Sequence, residues 1–197
     1  MRKAPSTLRG TTLHGTEVTL RPPVPDDAPG LYAGTHGDEA SESVWSYMAY
    51  GPWPNQAEFT EWIAERAASA DPLWFAVEHK GEAVGMATMC NYDPAHRRVE
   101  LGHIWYVPAA QRTVVNTETI YLLLNHCFTE YLARRVEWKC DARNERSRAA
   151  ALRLGFQFEG IFRQHMIVKG RNRDTAWFGM TDGDWPEVEA RLRAKLA

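Results

Sequence analysis

VELGHIWYVPAAQRTVVNTE, from Val99 to Glu118, reads as a strand that delivers its end to the start of a long helix, and the fold is read outward from that junction. Val99 to Val107 is rich in β-branched and aromatic residues. Pro108 stops it, because proline cannot donate to a ladder and pushes its neighbour toward extended backbone. From Val114 to Leu132 the apolar residues Ile120, Leu123, Leu124, Cys127, Phe128 and Tyr131 recur at three- and four-residue spacing, which predicts a helix with one wide apolar side. Thr113 or Asn116 is placed to cap it. A helix start presents unpaired N–H groups and a partial positive charge, so a loop holding Gln111, Arg112, Thr113 and Asn116 suits an anion such as a pyrophosphate.

Toward the C-terminus, Arg135 to Ala142 predicts another strand. It runs into a short helix that Asn144 caps, that carries Ser147 and Arg148, and that Gly155 closes before Phe156. The order strand, anion loop, helix, strand, N-x-x-S helix ending in Gly-Phe resembles the GNAT superfamily of acyl-CoA N-acyltransferases. Within it the chain is most similar to the RimJ/RimL-like branch, which acetylates N-terminal amines of ribosomal proteins. The branch resemblance is carried by YMAYGPW (Tyr47 to Trp53), QRTVVNTE (Gln111 to Glu118), NERS (Asn144 to Ser147) and FEGIFRQHMIVKGRNRDT (Phe158 to Thr175). It extends over the chain beyond the first fifteen or so residues. The superfamily pattern Q/R-x-x-G-x-G/A falls on Gln111, Val114 and Asn116, so both of its glycines are absent, and the branch often carries T-x-x-N-T there instead.

The resemblance implies an α+β GNAT fold, a mixed and mostly antiparallel central sheet flanked by helices, with acetyl-CoA as cosubstrate. It implies that backbone groups of Ile104, Trp105, Tyr106 and Val107 pair with the pantetheine arm. Gln111, Arg112, Thr113, Val114, Val115, Asn116 and Thr117 would hold the pyrophosphate, and Asn144 with Ser147 would complete the cofactor side. Many members carry a glutamate base on the strand before the anion loop, which points to Glu100. The thiolate acid used elsewhere in the superfamily is a tyrosine whose position here is Ala151, and RimL-like members suggest Ser147 in its place. Tyr47, Tyr50 and Trp53 are implied as the substrate wall.

The residues by themselves leave alternatives open. On a regular pleated strand Glu100, Gly102, Ile104 and Tyr106 share one face, with Val99, Leu101, His103, Trp105 and Val107 on the other, which leaves open space beside Glu100 at Gly102. Glu100 reads equally as an edge carboxylate paired with Arg97 or Arg98, and Ser147 as a polar residue satisfied within the first helical turn. The density of Trp45, Tyr47, Tyr50 and Trp53 suits either a pocket wall or a hydrophobic cluster under a loop. His103, His126 and His165 read as structural residues.

The remaining chain is ordinary for one domain. At 197 residues with 44% apolar and 24% charged side chains it is long enough for a sizeable core. The expected organisation is a tail over residues 1–15 that straps onto a single N-acetyltransferase domain over 16–197. A net charge of −2 and a pI near 6.4 give no basic field for nucleic acid or an anionic membrane. Cys90, Cys127 and Cys140 are widely spaced in apolar patterns and read as reduced core residues of a cytoplasmic protein, and no ligand spacing indicates a metal. Glu17 to Arg21 predicts a first strand, Asp26 the cap of a helix, and Asn55 with Glu58 the capping box of a second helix. Leu73 to Glu78 and Ala83 to Tyr92 predict a hairpin, as do Phe158 to Val168 and Thr175 to Thr181, before a final helix from Asp184. The favoured activity is acetyl-CoA-dependent N-acetylation of a primary amine, an α-amine of a protein, peptide or small amino compound. The alternatives are an antibiotic or polyamine N-acetyltransferase and a non-catalytic acyl-CoA-binding module, and a homodimer is left open.

Overall fold

The computed structural model describes residues 4–197. The chain runs β1 (Leu13–His14), β2 (Val18–Arg21), α1 (Ala28–Thr35), α2 (Glu39–Glu42), α3 (Gln56–Ala67), β3 (Leu73–His79), β4 (Glu82–Asp93), β5 (Arg98–Tyr106), α4 (Val114–Thr129), β6 (Arg135–Asp141), α5 (Glu145–Leu154), β7 (Gln157–Val168), β8 (Arg171–Thr181) and α6 (Trp185–Leu196). The strands form one open sheet in the order β1-β2-β3-β4-β5-β6-β8-β7. All neighbours are antiparallel except β5 and β6, which pair in parallel from Arg98–Arg135 to Leu101–Trp138.

Each side of the sheet has its own core. On one, Leu123, Leu124 and Cys127 of α4 and Leu192 of α6 are fully buried with Phe75, Val99, Val136 and Phe178. On the other, α1 and α3 cover a cluster made of Leu31, Trp45, Phe59, Trp62, Ile63, Trp74, Met86 and Trp105. The spacing of the apolar positions accounts for both helix contacts, since residues three and four apart lie on one face.

Where the structure departs from the sequence reading, the cause is local. Two short elements, β1 and α2, were not expected, because two strand residues and four helical ones carry no periodicity to detect. Of the predicted tail, Met1 to Lys3 lie outside the described residues. The rest is fastened down: the Pro5 carbonyl accepts from the Tyr92 hydroxyl at 2.6 Å, Leu8 is buried and the Arg9 N–H donates to the Tyr131 hydroxyl at 2.8 Å. The long helix ends at Thr129 rather than Leu132, where the backbone turns left-handed at φ 50°.

The largest correction falls on β5. His103 adopts φ 50°, and the pairing with β4 shifts register between Met86–Trp105 and Thr88–Gly102. This bulge places two consecutive residues, Gly102 and His103, toward the α3 side and reverses the alternation beyond it. Ile104 and Tyr106 therefore pack on the α4 core, whereas Trp105 joins the aromatic cluster on the side of Glu100. Nor is there open space at Gly102. A methyl group there would lie 3.2 Å from Cys90 Sγ and 3.6 Å from Glu100 Oε1.

Candidate active site

Beyond Leu101 the parallel ladder with β6 stops, so the β6 side of β5 from Gly102 to Tyr106 carries backbone groups without a strand partner. Some are taken by side chains or by β4. Thr88 Oγ1 donates to the Gly102 carbonyl at 2.9 Å, Gln111 Nε2 to the Tyr106 carbonyl at 3.0 Å, and the Val107 N–H donates to the Val84 carbonyl at 2.9 Å. His103, Ile104 and Trp105 are left with no neighbour on that side. An extended ligand arm with amide groups fits such an edge.

The edge leads directly to the start of α4. Thr113 is the cap: its Oγ1 accepts from the Val115 N–H at 3.3 Å. Asn116 lies inside the first turn, donating to the Tyr106 hydroxyl at 3.2 Å and accepting from Arg153 Nη2 at 2.6 Å. Arg153 also donates to Thr117 Oγ1 at 2.8 Å, which brings a guanidinium from α5 to the positive end of α4. Arg112 and Val114 are exposed, while the Val115 side chain is buried in the core and presents only its backbone outward. The loop thus has cations and a helix end without the two glycines.

An ionic row flanks the opening on the α3 side. Glu100 is 9% exposed, and its Oε2 accepts from Lys139 Nζ at 2.8 Å and from Asn91 Nδ2 at 2.8 Å. Its partner is thus Lys139 rather than Arg97 or Arg98; Arg98 pairs instead with Glu137 and Asp93. Glu100 Oε1 has no donor among the described residues. Lys139 is shared with Glu137 at 3.1 Å. Burial alone would push the Glu137 carboxyl up, but Arg135, Lys139 and Arg98 together hold it below the usual carboxylate range.

On the opposite side of β6, Ser147 is more than a first-turn residue. Its N–H donates to Asn144 Oδ1 at 3.1 Å, as a capped helix requires, while its Oγ accepts from Trp138 Nε1 at 3.0 Å. An indole is a donor only, so the serine keeps its own proton to give.

Of the three aromatics expected to form one wall, Tyr50 and Trp53 stay in ring contact, with centroids 5.9 Å apart, and Tyr47 is set apart. Tyr50 stacks on His103 with ring centroids 5.7 Å apart and lines a cavity of about 280 Å³ with Arg66, Trp74 and His103. Trp53 packs behind it between Trp45, Phe59 and Trp62, and Tyr47 reaches away to the Arg143 carbonyl at 3.2 Å. Burial is the first cause that lowers the His103 pKa, so the imidazole is neutral at pH 7, with Nδ1 3.3 Å from the Tyr50 hydroxyl. Sequence reasoning missed Asn91, Lys139, Arg153, Arg66 and Trp74. Arg66 and Arg153 carried a signal, a cation in the last turn of a helix, and that position suggests each one's own helix end rather than a site elsewhere.

Among the described residues no group of His, Cys, Asp and Glu side chains is arranged to hold a metal ion, and no helix is long and apolar enough to cross a membrane. A family model described as an acetyltransferase (GNAT) domain matches residues 17–157. The Bacillus subtilis (strain 168) protein named "Putative ribosomal N-acetyltransferase YdaF" is 24% identical over 172 residues, covering 85% of this chain and 93% of that protein. The crystal structure of a GCN5-related N-acetyltransferase from Brucella melitensis superposes with a TM-score of 0.92 at 37% identity, over 100% of this chain and 90% of that one. Mycobacterium smegmatis RimJ in complex with CoA-disulfide gives a TM-score of 0.78 at 26% identity, over 97% of this chain and 95% of the other.

Proposed function

Because the chain belongs to the GNAT acetyltransferase family, we propose that it moves an acetyl group from acetyl-CoA to the α-amine of a protein, peptide or small amino compound. The observation that carries the reading is the continuity of the splayed β5 edge with the start of α4. An edge that accepts an amide-bearing arm leads to a helix end, with Arg112 and Arg153 beside it, that attracts a pyrophosphate. Mycobacterium smegmatis RimJ, solved in complex with CoA-disulfide, supports the same ligand chemistry.

Acetyl-CoA supplies an acyl thioester, and the chain supplies positions for protons. As the amine nitrogen bonds to the acetyl carbon and the carbon–sulfur bond breaks, the amine proton passes to Glu100 Oε1, the oxygen that Lys139 and Asn91 leave free. Ser147, held by Trp138 as an acceptor, relays a proton to the departing sulfur and is refilled from solvent, while Glu100 returns the amine proton to solvent as the products leave. Neutral His103 adds no positive charge that would repel the incoming amine.

An α-amine is preferred because its pKa of about 7.7 to 8.0 leaves it neutral several hundred times more often at pH 7 than a lysine side chain near about 10.4. The test is thiol release from acetyl-CoA with a peptide bearing a free N-terminus, against the same peptide N-terminally blocked and bearing only a lysine. Release with the first, half-maximal near the amine pKa of about 7.7 to 8.0 and near its plateau by about pH 9, is expected. Release only with lysine or with sugar amines would overturn the α-amine reading.

A further inference from the structure

Two hydrogen-bond donors, Trp74 and Arg66, line the cavity beside His103. Trp74 is 3% exposed, yet its Nε1–H has no partner among the described residues. A buried N–H left in that state is costly unless something arrives to accept from it. Arg66, on the same wall, is bonded at 2.8 Å to its sequence neighbour Glu65, whose side chain is 69% exposed, and lies over the Trp62 ring at 5.0 Å. An exposed pair of this kind is readily exchanged for a better acceptor. Arg173 of β8 adds positive charge near the His103 ring from outside the cavity lining, and its Nε is buried without a partner among the described residues. The anion that bears on the same ring is Glu100. The cavity therefore has a cationic, donor-rich wall and an acidic neighbour, with an uncharged imidazole and the Tyr50 ring between them.

We infer that the cavity binds an amine that carries a carboxylate a few atoms away, with the carboxylate on the Arg66 guanidinium beside the Trp74 ring and the amine turned toward Glu100. The inference rests on the acetyl-transfer reading and names its substrate class. Two sources share this chemistry: the main-chain carboxylate of a free amino acid, and the side chain of an acidic first residue in a peptide. Arg66 recognises either by paired N–H donors, and the aromatic walls exclude water, which strengthens the contact.

The test is equilibrium binding to the full chain, read by tryptophan fluorescence, with two matched pairs: glycine against glycinamide, and Asp-Ala-Ala-amide against Asn-Ala-Ala-amide. The charged member of one pair is expected to bind about tenfold more tightly than its uncharged twin, and the pair that shows the preference identifies the source. In Arg66→Gln the preference should vanish, and Arg66→Lys should restore part of it. No preference in either pair, or a preference that survives Arg66→Gln, overturns the inference. Binding is read without any acetyl transfer. A protein that prefers the charged twin but releases no thiol from acetyl-CoA would therefore sink the acetyltransferase reading and leave this site standing.

Discussion

The two sides of the central sheet solve different problems, one with a large core and the other with a small one. Under α4 and α6 the core is mostly aliphatic, and the buried indole of Trp138 has its N–H satisfied by Ser147. Under α1 and α3 the core is mostly aromatic, and among the described residues the buried N–H groups of Trp62 and Trp74 have no acceptor, although Trp45 finds the Thr35 carbonyl at 3.1 Å. Well-packed aliphatic side chains specify a single arrangement, although His126 Nε2 of α4 is buried there without a partner among the described residues. Stacked rings with unpaired donors tolerate a cavity and wait for an acceptor. One side is thus built to hold the sheet and the other to receive something against it.

The comparison is broken if changes on the two sides have interchangeable effects. The largest expected effect is Glu100→Gln on the cavity side, which should lower kcat about 10²- to 10⁴-fold, the usual loss when a general base is removed. Its melting temperature should stay close to the parent's, because Lys139 keeps Glu137 at 3.1 Å as a partner. Unchanged turnover would remove Glu100 from the reaction. Leu123→Ala on the α4 side should do the reverse, costing about 2–5 kcal/mol of stability by leaving a cavity at a fully buried site. Well below its midpoint it should keep the parent's KM for the amine, and a raised KM would show that the two sides are coupled.

Smaller effects sharpen the boundary between them. Asn116→Asp adds a negative charge at the start of α4 and neutralises Arg153, which contacts Asn116 at 2.6 Å. The expected rise in Kd for CoA is about two- to fivefold, the size of a helix-end charge effect, and unaltered affinity would place the phosphates elsewhere. The smallest effect is on pH dependence. His103 and His36 on the aromatic side, and His126 on α4, have pKa values lowered from 6.5, with burial as the first cause. As pH falls through about 6.5 the unfolded chain takes up these protons before the folded one does. Stability should therefore be complete above that pH and decline below it until the folded-state values are reached. His103→Asn should flatten part of that decline, and an identical slope in the variant would mean that the aromatic side contributes none of it.

The architecture was legible in the sequence because it rests on periodicities and stops that are local: the stripe of α4, Pro108 after β5, Asn144 and Gly155 at the two ends of α5. The caps were legible for the same reason, although the choice between Thr113 and Asn116 had to come from geometry. The bulge at His103 was not legible. Its alternating pattern of residues fits an unbroken strand equally well, and nothing in a histidine announces φ 50°. The partner of Glu100 was hidden because Lys139 is 39 residues distant and reaches it only through the pairing of β5 with β6. Tyr47, Tyr50 and Trp53 were grouped because they are neighbours in sequence, but an irregular segment does not keep neighbours on one surface, and only Tyr50 lines the cavity.

The parallel pairing of β5 with β6 has a consequence for how the molecule comes apart. Four residue pairs join an antiparallel block, β1 to β5, to a second antiparallel block of β6, β8 and β7, and the chain crosses between them through α4. The ladders that border the seam, β4 with β5 and β6 with β8, are longer than the seam, which is short and slanted. The two blocks are thus candidate cooperative units in native-state hydrogen exchange, and the opening of least cost among the larger ones runs along the seam. That line is continuous with the gap where β5 leaves β6. A molecule lodged in the gap touches both blocks, and its binding free energy is spent in part on suppressing the fluctuation that separates them.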